Sequence, residues 1–150
     1  MIEKLENRKT DVAEKIREVF QASYAVEALL LGAEDFPPLK RPLEGFMESE
    51  NDFYGYFKDV TLAGVVEVVR GKQSIHIQSL VVHPASFRQG IGRLLVTHVL
   101  RTYDSPEYTV ETGLDNGPAT ALYLKFGFRK ILEYDTDHGV RKVRFQKSQV

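Results

Sequence analysis

The stretch that most restricts the fold is Leu80-Val81-Val82-His83-Pro84-Ala85-Ser86-Phe87-Arg88-Gln89-Gly90-Ile91-Gly92-Arg93-Leu94-Leu95. An apolar β run passes through a short loop directly into a helical apolar pattern, so a strand must hand over to a helix within about ten residues. Glycines at 90 and 92 let backbone amides approach a ligand without Cβ obstruction, and the first helical turn offers unpaired N–H groups at the positive end of its dipole. That combination binds phosphates. A dinucleotide-binding turn would need a further glycine at 95, where leucine stands, and no Gly-Lys-Ser/Thr tripeptide of a Walker loop occurs in the chain. A plain strand-to-helix turn is the competing reading of the two glycines.

The rest of the chain alternates helical and β texture. A short strand is expected at Ile2–Leu5, then a helix capped by Asp11 with Glu14 completing a capping box, its apolar face made of Val12, Ile16, Val19 and Phe20. A second helix is expected over Ala25–Leu31, and Phe36-Pro37-Pro38 should force an extended turn. These N-terminal elements would form a wall or lid. Strands follow at Phe53–Lys58, Leu62–Arg70 and Ser74–Val82, an antiparallel meander with Gly71-Lys72 in a turn. Next come a helix from Gly90 to about Tyr103, a strand at Tyr108–Thr112, a helix over Gly117–Phe126, and strands flanking Asp137-His138-Gly139. The stripe Ile91, Leu94, Leu95, His98, Val99 suits packing on a sheet, with His98 read as a partly buried residue at the core edge.

At 150 residues and 43% hydrophobic, the chain reads as a single domain over residues 1–150. A net charge of −1 gives no general reason to expect nucleic acid or an anionic membrane as a partner. No cysteine is present, which excludes disulfides, thiolate zinc sites and an acyl-thioester on the protein. No apolar run approaches the roughly 20 residues of a membrane span, and a cytoplasmic location is the simplest reading.

A second informative segment is Asn116-Gly117-Pro118-Ala119-Thr120-Ala121-Leu122-Tyr123-Leu124-Lys125-Phe126-Gly127-Phe128. Asn116 is a good N-cap, Pro118 suits a first turn and Gly127 can end the helix. Ala119, Leu122 and Phe126 make a packing face with Tyr123 at its border. Together the two segments resemble the GNAT superfamily of N-acyltransferases: a Gln/Arg-x-x-Gly-x-Gly/Ala phosphate loop at a strand-to-helix junction, followed by Asn-x-x-Ala-x-x-Leu-Tyr-x-x-x-Gly-Phe. The match is closest from about Phe53 to Phe145. It departs at Phe87, where the family usually has Arg or Gln, although Arg88 is adjacent.

That resemblance implies an α/β three-layer sandwich: a mostly antiparallel mixed sheet of about seven strands, helices on both faces, and a splay between strands four and five. It implies acetyl-CoA as co-substrate, held by the backbone of Leu80, Val81 and Val82 and by Arg88, Gln89, Gly90, Ile91, Gly92 and Arg93, with Asn116 and Ala119 near the pantetheine arm. Tyr123 would donate a proton to the departing CoA thiolate, and acetyl would pass directly to a primary amine of a small molecule or peptide. Glu111 is the best candidate for the base, ahead of Glu67 and His76; Glu44, Glu48, Glu50 and Asp52 could attract a cationic amine. No metal is implied, and a homodimer is compatible with the sequence. Two other readings are a catalytically silent CoA-binding module, against which Tyr123 argues, and a generic nucleotide-binding protein.

Overall fold

The computed structural model describes residues 1–148. Seven strands, β1 (Ile2–Lys4), β2 (Asp52–Lys58), β3 (Thr61–Arg70), β4 (Ile75–Val82), β5 (Glu107–Gly113), β6 (Arg129–Asp135) and β7 (Arg141–Ser148), form one sheet in the order β1-β2-β3-β4-β5-β7-β6. Every neighbouring pair is antiparallel except β4 and β5. A parallel pair cannot be closed by a hairpin, and here the connection carries the helix α3 (Ile91–Thr102). The expected mixed sheet is therefore present.

Helices cover both faces. α3 and α4 (Gly117–Lys125) pack on one side, where Ile91, Leu95, Val96 and Val99 meet Val66, Ile77, Tyr108 and Val110. α1 (Thr10–Leu31) and α2 (Leu43–Met47) pack on the other, where Ile16, Val19, Phe20 and Phe46 meet Phe53, Val65 and Val81. The α3 stripe differs by one position from the sequence pattern: Val96 is buried and Leu94 is exposed. His98 sits at the core edge with its ring 4.8 Å from that of Tyr54.

The N-terminal helices correct the sequence reading. Thr10–Leu31 is one continuous helix, not two, because Gln21 to Tyr24 contain no breaker and the buried stripe Ile16, Val19, Phe20 continues through Tyr24, Glu27 and Leu31 at helical spacing. Asp11 does not cap it. The cap lies two residues earlier, at Lys9, which makes no side-chain bond, and Glu14 is exposed. It ends at Gly32, whose left-handed φ of 63° lets the N–H of Ala33 reach the carbonyl of Ala28. Phe36 is extended before Pro37, as a residue preceding proline should be, but the prolines then open a 3₁₀ turn over Pro37–Lys40 instead of an extended segment. Among the described residues no helix is long and apolar enough to cross a membrane.

Arg41 ties this N-terminal wall to the sheet. Its guanidinium donates to both carboxylate oxygens of the fully buried Glu67, at 2.7 and 3.0 Å, and to the carbonyl of Gly45 at 3.1 Å. It also lies 4.2 Å from the Phe46 ring centroid. Asn51 adds a 2.9 Å bond to Glu67, so this carboxylate is saturated. Removing one partner of a buried ion pair leaves the other uncompensated. Arg41→Ala is expected to lower stability by about 3 kcal/mol in urea unfolding, with Arg41→Lys recovering only part because it lacks the bidentate fork. A loss below about 1 kcal/mol would mean the pair is not holding the wall.

Candidate active site

The site begins with an irregularity in β4. Glu67 pairs with Ser79 and Val68 with Ile77, so Gln78 is an extra residue opposite β3. An extra residue bends and twists its strand. Pairing between β4 and β5 runs from Ile75–Tyr108 to Ile77–Val110 and stops there, at the bulge. Beyond it the two strands part, and a cleft of about 350 Å³ opens between them. The N–H of His83 donates to Ala63 of β3, so by strand alternation Val81 and Ser79 also face β3. Leu80 and Val82 therefore turn their peptide N–H and C=O groups toward the opening, an edge available to an extended ligand.

At the end of β4 the chain makes a short 3₁₀ turn at Pro84–Ser86, fixed by the amide of Ala85 donating to His83 Nδ1 at 3.1 Å. Arg88 and Gly90 then both adopt positive φ, 63° and 77°, before α3 starts. Alternation with left-handed residues gathers backbone amides into an anion-binding concavity, and a non-glycine residue held there is a strained position of the kind found at ligand sites. The first bond of the helix runs from the Leu94 amide to the Gly90 carbonyl, which leaves the amides of Ile91, Gly92 and Arg93 at its free N-terminus. A Cβ on Gly90 would meet nothing within 4 Å, whereas one on Gly92 would lie 3.5 Å from Leu122 and 3.9 Å from Leu80. Gly92 thus borders the gap between β4 and α4. Ile91 buries its side chain in the core and offers only its backbone. The Gln89 side chain accepts from Lys58 at 2.9 Å, and Phe87 is exposed.

α4 brings the second segment to the same cleft. Asn116 caps it, its Oδ1 accepting from the Ala119 amide at 3.2 Å, and Ala119 and Tyr123 line the cleft. Tyr123 is the buried residue of this helix, more so than the expected Ala119–Leu122–Phe126 face, and packs on Phe128 and Phe145. Burial pushes its phenol up from its ordinary value, and the neighbouring ionisable groups Tyr24 and Glu27 push it further, so it is protonated throughout the neutral range. Its hydroxyl makes no hydrogen bond among the described residues.

The carboxylates expected nearby have different surroundings. Glu111 lines the cleft; burial would raise it, but hydrogen bonds from Tyr134 and from Arg144, the latter at 2.7 Å, outweigh this and hold it below the usual carboxylate range. That makes it a persistent negative charge and a weak base. Glu67 is closed off by Arg41, and His76 shares a 2.8 Å hydrogen bond with Thr109 and is pushed down by burial and then by Arg144. Asp52 accepts from the Tyr103 hydroxyl at 2.5 Å and pairs with Arg70 at 3.1 Å, and neither it nor Glu44, Glu48 or Glu50 lines the cleft.

Glu27 was not foreseen. It projects from α1 into the cleft, where its Oε1 accepts from Asn116 Nδ2 at 2.7 Å and from Thr112 Oγ1 at 3.4 Å. Burial raises its carboxyl above the ordinary value, opposed by Asn116, Lys142 and Thr112. The available signal was spacing: Phe20, Tyr24, Glu27 and Leu31 share one helical stripe, and a carboxylate on an otherwise apolar stripe is an unusual placement.

The model of the acetyltransferase (GNAT) domain matches residues 22–149. Among solved structures, the ribosomal-protein-S18-alanine N-acetyltransferase of Escherichia coli superposes with a TM-score of 0.77 at 19% identity, over 99% of this chain and 92% of that one. The PaiA N-acetyltransferase of Thermoplasma acidophilum, solved with coenzyme A, gives 0.75 at 19% identity over 99% of both chains. YncA of Salmonella typhimurium, solved with acetyl-CoA, gives 0.75 at 14% identity over 99% and 92%. In sequence the chain is 34% identical over 131 residues to the UPF0157 protein YqkA of Bacillus subtilis; the match covers 87% of this chain but only 38% of that relative's length. Loop, splayed strands, tyrosine helix and the match over residues 22–149 agree: this chain belongs to the GNAT acetyltransferase family.

Proposed function

We propose that this domain transfers acetyl from acetyl-CoA directly to a primary amine of a small molecule or peptide. The observation that carries this reading is the succession of three features along β4: Tyr123 and Leu80 line one cleft, the backbone of Leu80 and Val82 faces outward beyond the last β4–β5 pair, and the helix start at Gly90–Gly92 follows, with Gly92 beside Leu80 and Leu122. The helix start suits a pyrophosphate, with Arg88 and Arg93 exposed beside it and free of ion pairs among the described residues. The open edge of β4 suits the amide-bearing pantetheine arm, added as a strand would be. The thioester then lies toward Tyr123, and the amine enters from the side walled by α1 and the β6–β7 turn.

In this reading Tyr123 hydrogen-bonds the thioester sulfur and supplies a proton as the C–S bond breaks. A CoA thiol has a pKa near the ~8.5 of a free thiol, well below the raised phenol, so Tyr123 acts mainly as a donor that stabilises developing thiolate charge. Glu111, kept ionised by Tyr134 and Arg144, contributes negative potential that attracts a cationic amine. Asn116 is already engaged at both ends, with Ala119 and Glu27, and so sets the position of α4 against α1 as well as bordering the pantetheine path.

Two variants test this reading. Gly92→Val adds carbons beside Leu122 and Leu80, at the mouth between β4 and α4; calorimetry should show acetyl-CoA affinity reduced by about tenfold or more with little change in melting temperature. Unchanged affinity in a folded variant would reduce the two glycines to a structural turn. Tyr123→Phe keeps ring packing and removes the hydroxyl. Free-thiol release at saturating acetyl-CoA should fall by roughly tenfold to a hundredfold, near the lower end for a general acid because thiolate is a good leaving group. Equal turnover, with the chemical step limiting, would leave Tyr123 a packing residue.

A further inference from the structure

Resting on the acetyltransfer reading, we propose that Glu27 receives the acceptor amine and takes its proton. Three observations lead there. Glu27 and Tyr123 line the same cleft from opposite sides, α1 and α4. One oxygen of Glu27 is fixed by Asn116 and Thr112, while Oε2 makes no hydrogen bond among the described residues. The other two carboxylates near the cleft are each bonded directly to a guanidinium, Glu67 to Arg41 and Glu111 to Arg144, but Glu27 has no cation in contact among the described residues. A partly buried carboxylate without a counterion is unfavourable, and an incoming alkylammonium supplies the missing partner.

The groups facing Glu27 are known from each packed element. Lys142 of β7 attracts it at longer range and forms no ion pair of its own among the described residues. Tyr24 lies on its own helix, Thr112 and Glu111 on β5, Asn116 and Tyr123 at α4, His138 in the β6–β7 turn, and Arg41 beyond the 3₁₀ turn. Burial is the largest influence and raises its carboxyl, which moves its proton affinity toward that of a base working near neutral pH. Glu111 is shifted the other way.

The ammonium R–NH₃⁺ gives one proton to Glu27, which later releases it to solvent. The neutral nitrogen attacks the acetyl carbonyl carbon, the N–C bond forms and the C–S bond breaks with its electron pair on sulfur. The second proton lost by nitrogen matches the one gained by the thiolate through Tyr123, leaving the acetamide and CoA thiol. Phe20, Tyr24, Leu31 and Phe36 wall the approach, so the amine would be carried on an apolar or aromatic group.

The test measures free-thiol release from pH 5 to 10 with 2-phenylethylamine, 1,4-diaminobutane and an unblocked tripeptide as acceptors, in wild type, Glu27→Gln and Glu111→Gln. Wild-type kcat/KM should rise with pH through the pKa of Glu27, because only the ionised carboxylate accepts a proton. In Glu27→Gln, which keeps the Asn116 bond, the rate should fall about a hundredfold at pH 7 and recover as the amine deprotonates unaided at high pH, with acetyl-CoA affinity unchanged. Glu111→Gln should keep the wild-type acidic limb. An unchanged rate, a loss equal at every pH, or a loss of acetyl-CoA affinity would overturn the assignment. If Glu27→Gln does not fold, Glu27→Asp must fold and shift the acidic limb, and an unshifted limb overturns it. A wild type that binds acetyl-CoA yet acetylates none of the three amines would instead overturn the acetyltransfer reading, and this assignment with it.

Discussion

One extra residue in β4 governs the architecture of this domain. Up to Ile77 the strand is an ordinary member of a seven-stranded sheet, bonded to β3 on one edge and β5 on the other; at Gln78 the ladder with β3 slips, and the ladder with β5 ends. A continuous sheet would saturate the backbone of Leu80 and Val82 and bury it. The bulge instead leaves that edge unpaired at the centre of the molecule, where an unsatisfied peptide group is costly unless a ligand or water takes it up. The cleft is thus a consequence of sheet geometry, and the helices α1 and α4 are walls placed on either side of it.

Charge then divides the cleft. Toward α3 lie free helix-terminal amides and exposed arginines, a setting for phosphate. Toward α1 lie three carboxylates with three different fates. Glu67 is neutralised by Arg41 and serves to anchor the wall; Glu111 is held ionised by Tyr134 and Arg144; Glu27 has no contacting cation among the described residues and is raised by burial. Position in the sequence does not separate these roles, whereas the counterion of each does.

The elements most legible from sequence were those whose signal is local. Gly90 and Gly92 after a β run, and Asn116, Pro118 and Gly127 around a helical pattern, mark their own boundaries, and both segments fold as read. Less local features were lost. Helix α1 reads as two because Ala25–Leu31 is apolar on every side except at Glu27, with Leu29 and Leu30 exposed, so periodicity does not connect it to Ile16–Phe20. The cap at Asp11 followed a side-chain preference that the backbone satisfied without a cap. The bulge at Gln78 depends on register against β3, which no single strand's sequence contains. Glu27 escapes a sequence reading for a related reason: its surroundings depend on Asn116, 89 residues away, and on its having no arginine partner among the described residues.

The central claim is that the unpaired edge of β4 is the seat of the pantetheine arm, and amide hydrogen exchange resolved to single residues tests it directly. On addition of CoA, the amides of Leu80 and Val82 should become strongly protected, while those of Val81 and Ser79, already bonded to β3, should change little. Saturating CoA that leaves Leu80 and Val82 exchanging as in the free protein would contradict the claim.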